Sequence, residues 1–157
     1  MNFQITIMGY IKGENLMKKL SSRFSIAVHI LTLTAISEEN CTSEYIASSV
    51  NTNPVLIRRI IGFLKKAGLI NVHAGTGGTY IQKDISTISL LDVYNAVEVT
   101  DDDHELFNFH KGNPKCKVGA NIESIVGTTL DKAQLAMENE LRQVSIQNIL
   151  EDLKDIK

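Results

Sequence analysis

Apolar and polar positions along the chain alternate with a helical period over six stretches and mark one short strand pair. Phe24, Ala27, Val28, Leu31 and Ala35 share one helical face, and Ser21 or Ser22 is placed to cap it. The pattern breaks at Ser37-Glu38-Glu39-Asn40. A short helix then runs from Glu44 to about Val50, with Thr42 or Ser43 as its cap and Ile46, Ala47 and Val50 inward. Asn51-Thr52-Asn53 forms a turn. Asn53 caps a third helix, whose first residue is Pro54, where the missing N–H costs nothing. Leu56 or Ile57, Ile60, Ile61 and Leu64 give that helix one buried face, and Gly68 ends it as a C-cap.

Two strands follow, Leu69 to His73 and Thr79 to Gln82, joined by Gly75-Thr76-Gly77-Gly78. A fourth helix spans about Ser89 to Val97. Residues 100–120 are polar and irregular. A long helix then covers about Ile122 to Val144, with an apolar stripe of Ile122, Ile125, Val126, Thr129, Ala133, Ala136, Met137, Leu141 and Val144. Ser145 caps a last short helix carrying Ile146, Ile149, Leu150 and Leu153. The fold class expected is mainly α with a small β-hairpin: a winged helix-turn-helix followed by a long C-terminal helix.

The glycine tip admits two readings, a phosphate loop or the tip of a wing. A phosphate loop needs its glycines between a strand and a helix, usually with a Lys-Ser or Lys-Thr after them. Here they join two strands and no such lysine follows, which favours the wing. Gly75, Thr76, Gly77 and Gly78 then lie against a DNA backbone, with His73 and Thr79 beside them. In the helix-turn-helix pair the second helix enters the major groove and its first residues reach base edges. Those positions are Asn53, Val55, Arg58 and Arg59; Lys65 and Lys66 are placed to neutralise phosphates. Thr42, at the start of the pair's first helix, joins the candidate DNA contacts.

Charge sharpens this picture. The formal net charge is −2, yet between Met17 and Lys83 eight Lys/Arg stand against three acids, a net of +5. From Asp101 onward seven basic residues face eleven acids, a net of −4. A basic front and an acidic rear fit a protein that turns one part toward a polyanion. No window reaches the roughly 20 apolar residues of a membrane span, no secretory signal is evident, and two cysteines are too few for a disulfide framework. A cytoplasmic protein is expected. The histidines are scattered and no serine or cysteine has a recognisable base partner, which argues against an enzyme. His29, amid apolar residues, reads as a satisfied core or interface side chain. Residues 1–16 have no helical period, and Lys12-Gly13-Glu14 is encodable by a ribosome-binding sequence just before Met17; the expectation is a misread leader with the true start at Met17, the alternative a disordered N-terminal arm.

The segments LSSRFSIAVHILTLTA, IASSVNTNPVLIRRIIGFLKKAGLI and GTGGTYI resemble the Rrf-two family of bacterial winged-helix transcription regulators, from Met17 to about Leu153. The resemblance implies a homodimer in which the long helix crosses its partner, binding to palindromic operator DNA, and a place near DNA for Ser21, Ser22 and Arg23. Expected domains are 17–98 for DNA binding, 99–120 as a sensory loop and 121–157 as dimerisation helix plus short helix. Cluster-binding members carry three closely spaced cysteines before the long helix; this chain has Cys116 alone there, and the irregular spacing of His104, His110 and Cys116 argues against zinc. No cofactor or metal is expected, and HKGNPKCKVGANI looks like the cluster-free branch. Lys115 and Lys117 flank Cys116 and favour its thiolate, so Cys116 is the candidate redox sensor, with Cys41 as a secondary candidate. The function expected is a dimeric regulator, a repressor, responsive to oxidants through Cys116. The alternatives are a regulator answering a small molecule, its cysteines bystanders, or a non-DNA-binding interaction module built on the long helix.

Overall fold

The computed structural model describes residues 22–75, 77–98 and 109–156 of the 157-residue chain. Six helices and one hairpin follow in the order α1 (Ser22–Ile36), α2 (Ser43–Val50), α3 (Pro54–Lys66), β1 (Ile70–Val72), β2 (Thr79–Ile81), a 3-10 turn (Ile85–Thr87), α4 (Leu90–Glu98), α5 (Lys117–Gln143) and α6 (Ile146–Lys154). This is a winged helix-turn-helix with a long helical arm.

Local chemistry sets most of these boundaries. The Thr42 side chain accepts the Tyr45 N–H at the start of α2, and the Asn53 side chain accepts the Leu56 N–H at the start of α3. Helix α3 ends in a Schellman turn. Ala67 is its C-cap, Gly68 follows in the left-handed region, and the amides of Gly68 and Leu69 reach back to Lys65 O (2.9 Å) and Leu64 O (3.0 Å). Asn51 closes α2 in the same way at φ 58°, its neighbour Thr52 donating to Ala47 O at 3.0 Å.

One core gathers Ala27, Ile30 and Leu31 of α1, Ile46 and Ala47 of α2, Ile57, Ile60, Ile61 and Leu64 of α3, Ile70 of β1, Ile88, Val93 and Val97 around α4, and Ile146 of α6. The predicted α3 face is the buried one, with Ile57 rather than Leu56 at its centre. Ile30, absent from the predicted α1 face, is fully buried. The strands are shorter than the sequence predicts and pair antiparallel, Ile70 with Ile81, Asn71 with Tyr80 and Val72 with Thr79.

Two features depart further from the sequence reading. Helix α5 begins at Lys117, more than a turn before Ile122. Gly119 and Asn121 look like loop residues, yet Asn121 Nδ2 donates to Lys117 O at 2.7 Å inside the helix. A Cβ at Gly119 would meet Asn113 O at 2.7 Å, so the absent side chain lets the entering strand of chain lie against the first turn. The second feature is α6. Grouped by sequence with the long helix, it packs on α1 and the 3-10 turn, with Ile146 and Leu150 buried in the head. Helix α5 itself, about 40 Å long at 1.5 Å per residue, buries no side chain. Among the described residues no helix is long and apolar enough to cross a membrane.

Candidate nucleic-acid interface

Helix α3 divides its surface in two. Ile57, Ile60, Ile61 and Leu64 face the core; Val55 (70% exposed), Arg58, Arg59, Lys65 and Lys66 face solvent. Asn53 and Pro54 fix the helix start, so the exposed residues of the first two turns stand on a backbone with little freedom.

The two arginines are held differently, as expected for neighbours about 100° apart around a helix. Arg58 Nη2 donates to Glu44 Oε1 of α2 at 2.5 Å, and both side chains are exposed. Glu44 sits in the first turn of α2, where its own backbone N–H, and next the Arg58 guanidinium, pull its pKa below the usual carboxylate range. The Arg59 guanidinium lies over the Phe63 ring, 5.8 Å from its centroid.

The hairpin tip closes through His73. Its N–H donates to Gly78 O at 2.8 Å, and its carbonyl accepts from Gly77 at 3.3 Å. Gly75 and Gly77 take φ of 84° and 68°, conformations that side-chain-bearing residues rarely adopt. The His73 ring stacks on Tyr80, centroids 4.3 Å apart and planes at 28°. At its base the wing is bolted to the α1–α2 connection: Thr79 N–H donates to Cys41 O at 2.9 Å, and a Cβ at Gly78 would fall 1.7 Å from Asn40 Oδ1.

Several residues of the predicted set are already engaged within the chain. Thr79 is 6% exposed, its hydroxyl buried without a hydrogen-bond partner among the described residues, so it does not present that group to a ligand. Gly78 is likewise buried against Asn40. Strand parity places Tyr80, one residue on, on the outer face beside His73; sequence reading missed it, because alternation along β2 separates it from Thr79 without fixing which of the two is inside. Thr42 spends its side chain on the α2 cap. Ser22 is exposed at the first residue of α1, whereas Arg23 pairs with Glu98 of α4 at 3.7 Å. Ser21 and Thr76 lie outside the described residues, as do residues 1–16, Asp101 to Asp103 and His104. His29 Nε2 lies 2.9 Å from Ser49 Oγ, which makes it a hydrogen-bonded side chain between α1 and α2.

The two cysteines have opposite settings. Cys41 is 3% exposed beneath the wing, its Sγ 3.7 Å from Glu39 O. Cys116 is exposed at the N-cap of α5. Its Sγ makes no side-chain capping bond of normal geometry, yet the N–H groups of Gly119 and then Val118 in the first turn hold its pKa below the ordinary thiol value. The cause differs from the sequence expectation: the helix N-terminus lowers it, where the flanking lysines had been credited.

The Rrf2 profile, described as iron-dependent transcriptional regulator, matches residues 20–152. The Bacillus subtilis (strain 168) protein named "Putative HTH-type transcriptional regulator YwnA" is 44% identical over 135 residues, covering 85% of this chain and 98% of that one. A crystal structure described as "a putative DNA binding protein" shares 42% identity and a TM-score of 0.67, over 82% of this chain and 98% of the other. The B. subtilis global cysteine regulator CymR shares the fold at 18% identity and a TM-score of 0.60, over 86% and 98% of the two chains. The residues present do not fit an iron–sulfur cluster. The chain has two cysteines in all, one of them buried beneath the wing, and among the described residues no three His, Cys, Asp or Glu side chains converge. With its profile match and a 44% identical relative each spanning most of its length, the chain belongs to the Rrf2 family of DNA-binding transcriptional regulators and is not an enzyme.

Proposed function

We propose that this protein is a homodimeric, sequence-specific repressor that lays α3 in the major groove of each half of a palindromic operator and rests its wing on the adjoining backbone. The carrying observation is the division of α3: a fully apolar inner face, and an outer face with four basic residues and no acid from Pro54 to Lys66. The capped N-terminus aims Val55 and Arg58 outward, the position from which recognition helices read base edges. Lys65 and Lys66 supply phosphate contacts.

Support for a dimer comes from α5. Val118 (66%) and Ile125 (69%) are exposed along one side of it, Ile122, Val126, Met137 and Leu141 beside them are half-covered, and Leu135 (56%) is exposed about 80° around the helix from Ile125. A stripe of this length is a surface that a second copy would bury. Thr129, Ala133 and Ala136 are also exposed, small enough to let two helices approach closely.

Cys116 makes the regulator sensitive to oxidants in this reading. A peroxide meets an exposed, thiolate-prone sulfur at the start of α5. The sulfur attacks one peroxide oxygen, an S–O bond forms, the O–O bond breaks, and the departing hydroxide takes a proton to leave as water. The resulting sulfenic acid changes charge and bulk at the start of α5. A second reading, response to a small molecule, draws on a groove of about 400 Å³ beside α5, lined by Phe109, Glu123, Ser124, Thr128, Asp131 and Gln134.

Fluorescence anisotropy tests these readings, using the full chain on duplex from the gene's own upstream region at two salt concentrations, reduced and peroxide-treated. Tight, salt-sensitive binding lost on oxidation supports the redox regulator. Binding indifferent to oxidation supports the small-molecule reading. Equal binding to random duplex counts against an operator there, and absence of salt-dependent binding to any duplex leaves an interaction module built on α5.

A further inference from the structure

Glu44 is the anomaly of the candidate interface. An acid among residues that approach a polyanion repels phosphate, and its ion pair with Arg58 is solvent-exposed, a class of contact that adds little to stability. Its geometry answers to something else. The carboxylate is anchored twice: at the first turn of α2, the positive end of the helix, and against a guanidinium on α3, 14 residues away in sequence. Arginine carries five N–H donors in a planar fork, and Glu44 engages Nη2 alone. The rest of the fork stays available for the paired acceptors of a guanine edge. The same carboxylate also competes with any phosphate for Arg58. Arg59, stacked along its own helix on Phe63, is held by a ring rather than a carboxylate.

We propose that Glu44 is the positioning residue of this interface: it holds Arg58 for a guanine edge and withholds it from the phosphate backbone. Discrimination between sequences then rests on the Glu44–Arg58 pair, while general affinity rests on Arg59, Lys65 and Lys66. Non-specific complexes are held by phosphate contacts. In them Arg58 is occupied by Glu44, so random DNA is bound more weakly than the basic face alone would bind it. The inference rests on the DNA-binding reading above.

The test uses the full chain and an operator selected from random duplexes by the wild type. Operator and scrambled-duplex affinities are measured across a salt series for wild type, E44Q, R58A, R59A and E44Q/R58A. For E44Q the expected result is tighter binding to scrambled duplex, a salt slope steeper by about 1.8 for the two phosphates gained, one per protomer, and an operator-to-scrambled ratio at least tenfold lower. R58A should lower that ratio by about tenfold at one base pair of each half-site, in line with the loss of a bidentate contact. R59A should weaken both duplexes alike. Adding E44Q to R58A should leave the ratio unchanged, because Glu44 acts through Arg58. Equal tightening on both duplexes by E44Q, with the ratio preserved, would overturn the proposal and reduce Glu44 to a stray negative charge. An E44Q effect that persists undiminished in R58A would overturn it too. Wild type that selects no operator and shows no salt-dependent binding would overturn the DNA-binding reading itself, a different failure from either of these.

Discussion

Ser89 and Ser145 form an antiparallel β-bridge that ties the start of α4 to the end of α5. Leu90 N–H donates to Val144 O at 2.8 Å, and Ile146 N–H donates to Ile88 O at 2.9 Å. Each serine also caps the helix that follows. Ser89 exchanges bonds with Asp92, and Ser145 does the same with Asn148. The arm therefore ends on the head with a fixed exit, and a shift of α5 has a short route to α4, which packs on α1 and α3.

That junction gives a stability prediction. Ser145→Ala removes the cap of α6 and should cost about 1 kcal/mol. Ile146→Ala empties a fully buried core position and should cost about 2–5 kcal/mol. Urea unfolding followed by circular dichroism reads both. If α6 were a loose appendage, Ile146→Ala would leave the midpoint where it was.

Helix α3 separates stability from binding by face. Ile60→Ala, at a fully buried site, should destabilise by about 2–5 kcal/mol. Val55→Ala, on the opposite face, should change stability by under about 0.5 kcal/mol while weakening binding to the operator. The paired measurement is a denaturation midpoint and an anisotropy titration for each variant. A Val55→Ala protein that unfolds early would place that residue in the core and contradict the division of α3.

Cys116 and Cys41 should separate by reactivity. With its pKa lowered by the first-turn N–H groups, Cys116 is deprotonated to a greater extent at neutral pH than an ordinary thiol. Alkylation by iodoacetamide should therefore modify Cys116 first, with a rate-versus-pH midpoint below that of an ordinary thiol, and reach Cys41 upon unfolding. Val118→Pro deletes one of the two N–H groups responsible, at a first-turn position that tolerates proline, and should move the midpoint up. Lys115→Gln with Lys117→Gln should move it less. Mass spectrometry of the alkylated peptides over a pH series decides; a larger effect from the lysines would return the cause to flanking charge.

What was legible in the sequence followed from short-range chemistry. Asn53-Pro54 and Gly68 announced both ends of α3, and Ile57, Ile60, Ile61 and Leu64 announced its buried face, because caps and helical period act within a turn or two. The wing was legible from its glycines for the same reason. Contacts across elements were not. The spacing of Ile146, Ile149 and Leu150 revealed an apolar face, yet nothing local says that it packs on the head rather than along the arm. Parity along β2 separates Thr79 from Tyr80 without saying which of them is inside; the amide bond from Thr79 to Cys41 O sets that. The Glu44–Arg58 pair bridges α2 and α3, and no pattern within either helix points to it. Gly119 misled, since an apparent helix breaker proved to be the residue that lets residues 112 and 113 lie against α5.

The arm supplies the last prediction. Because Ile125 and Leu135 of α5 are 69% and 56% exposed, a charge at either removes no core contact. Ile125→Glu combined with Leu135→Glu should leave the helical circular dichroism signal and the unfolding transition of the head intact. In a dimer, the same charges would be buried without partners and would disfavour assembly. Sedimentation equilibrium of the wild type should give twice the 17.4 kDa chain mass, and the double variant should sediment as a single chain. Operator affinity should fall with it, since two half-sites bound by separate heads lose the effective concentration that a shared arm provides. A wild type that sediments as a monomer at micromolar concentration would remove the dimer from the mechanism. A double variant that stays dimeric would move the interface off Ile125 and Leu135.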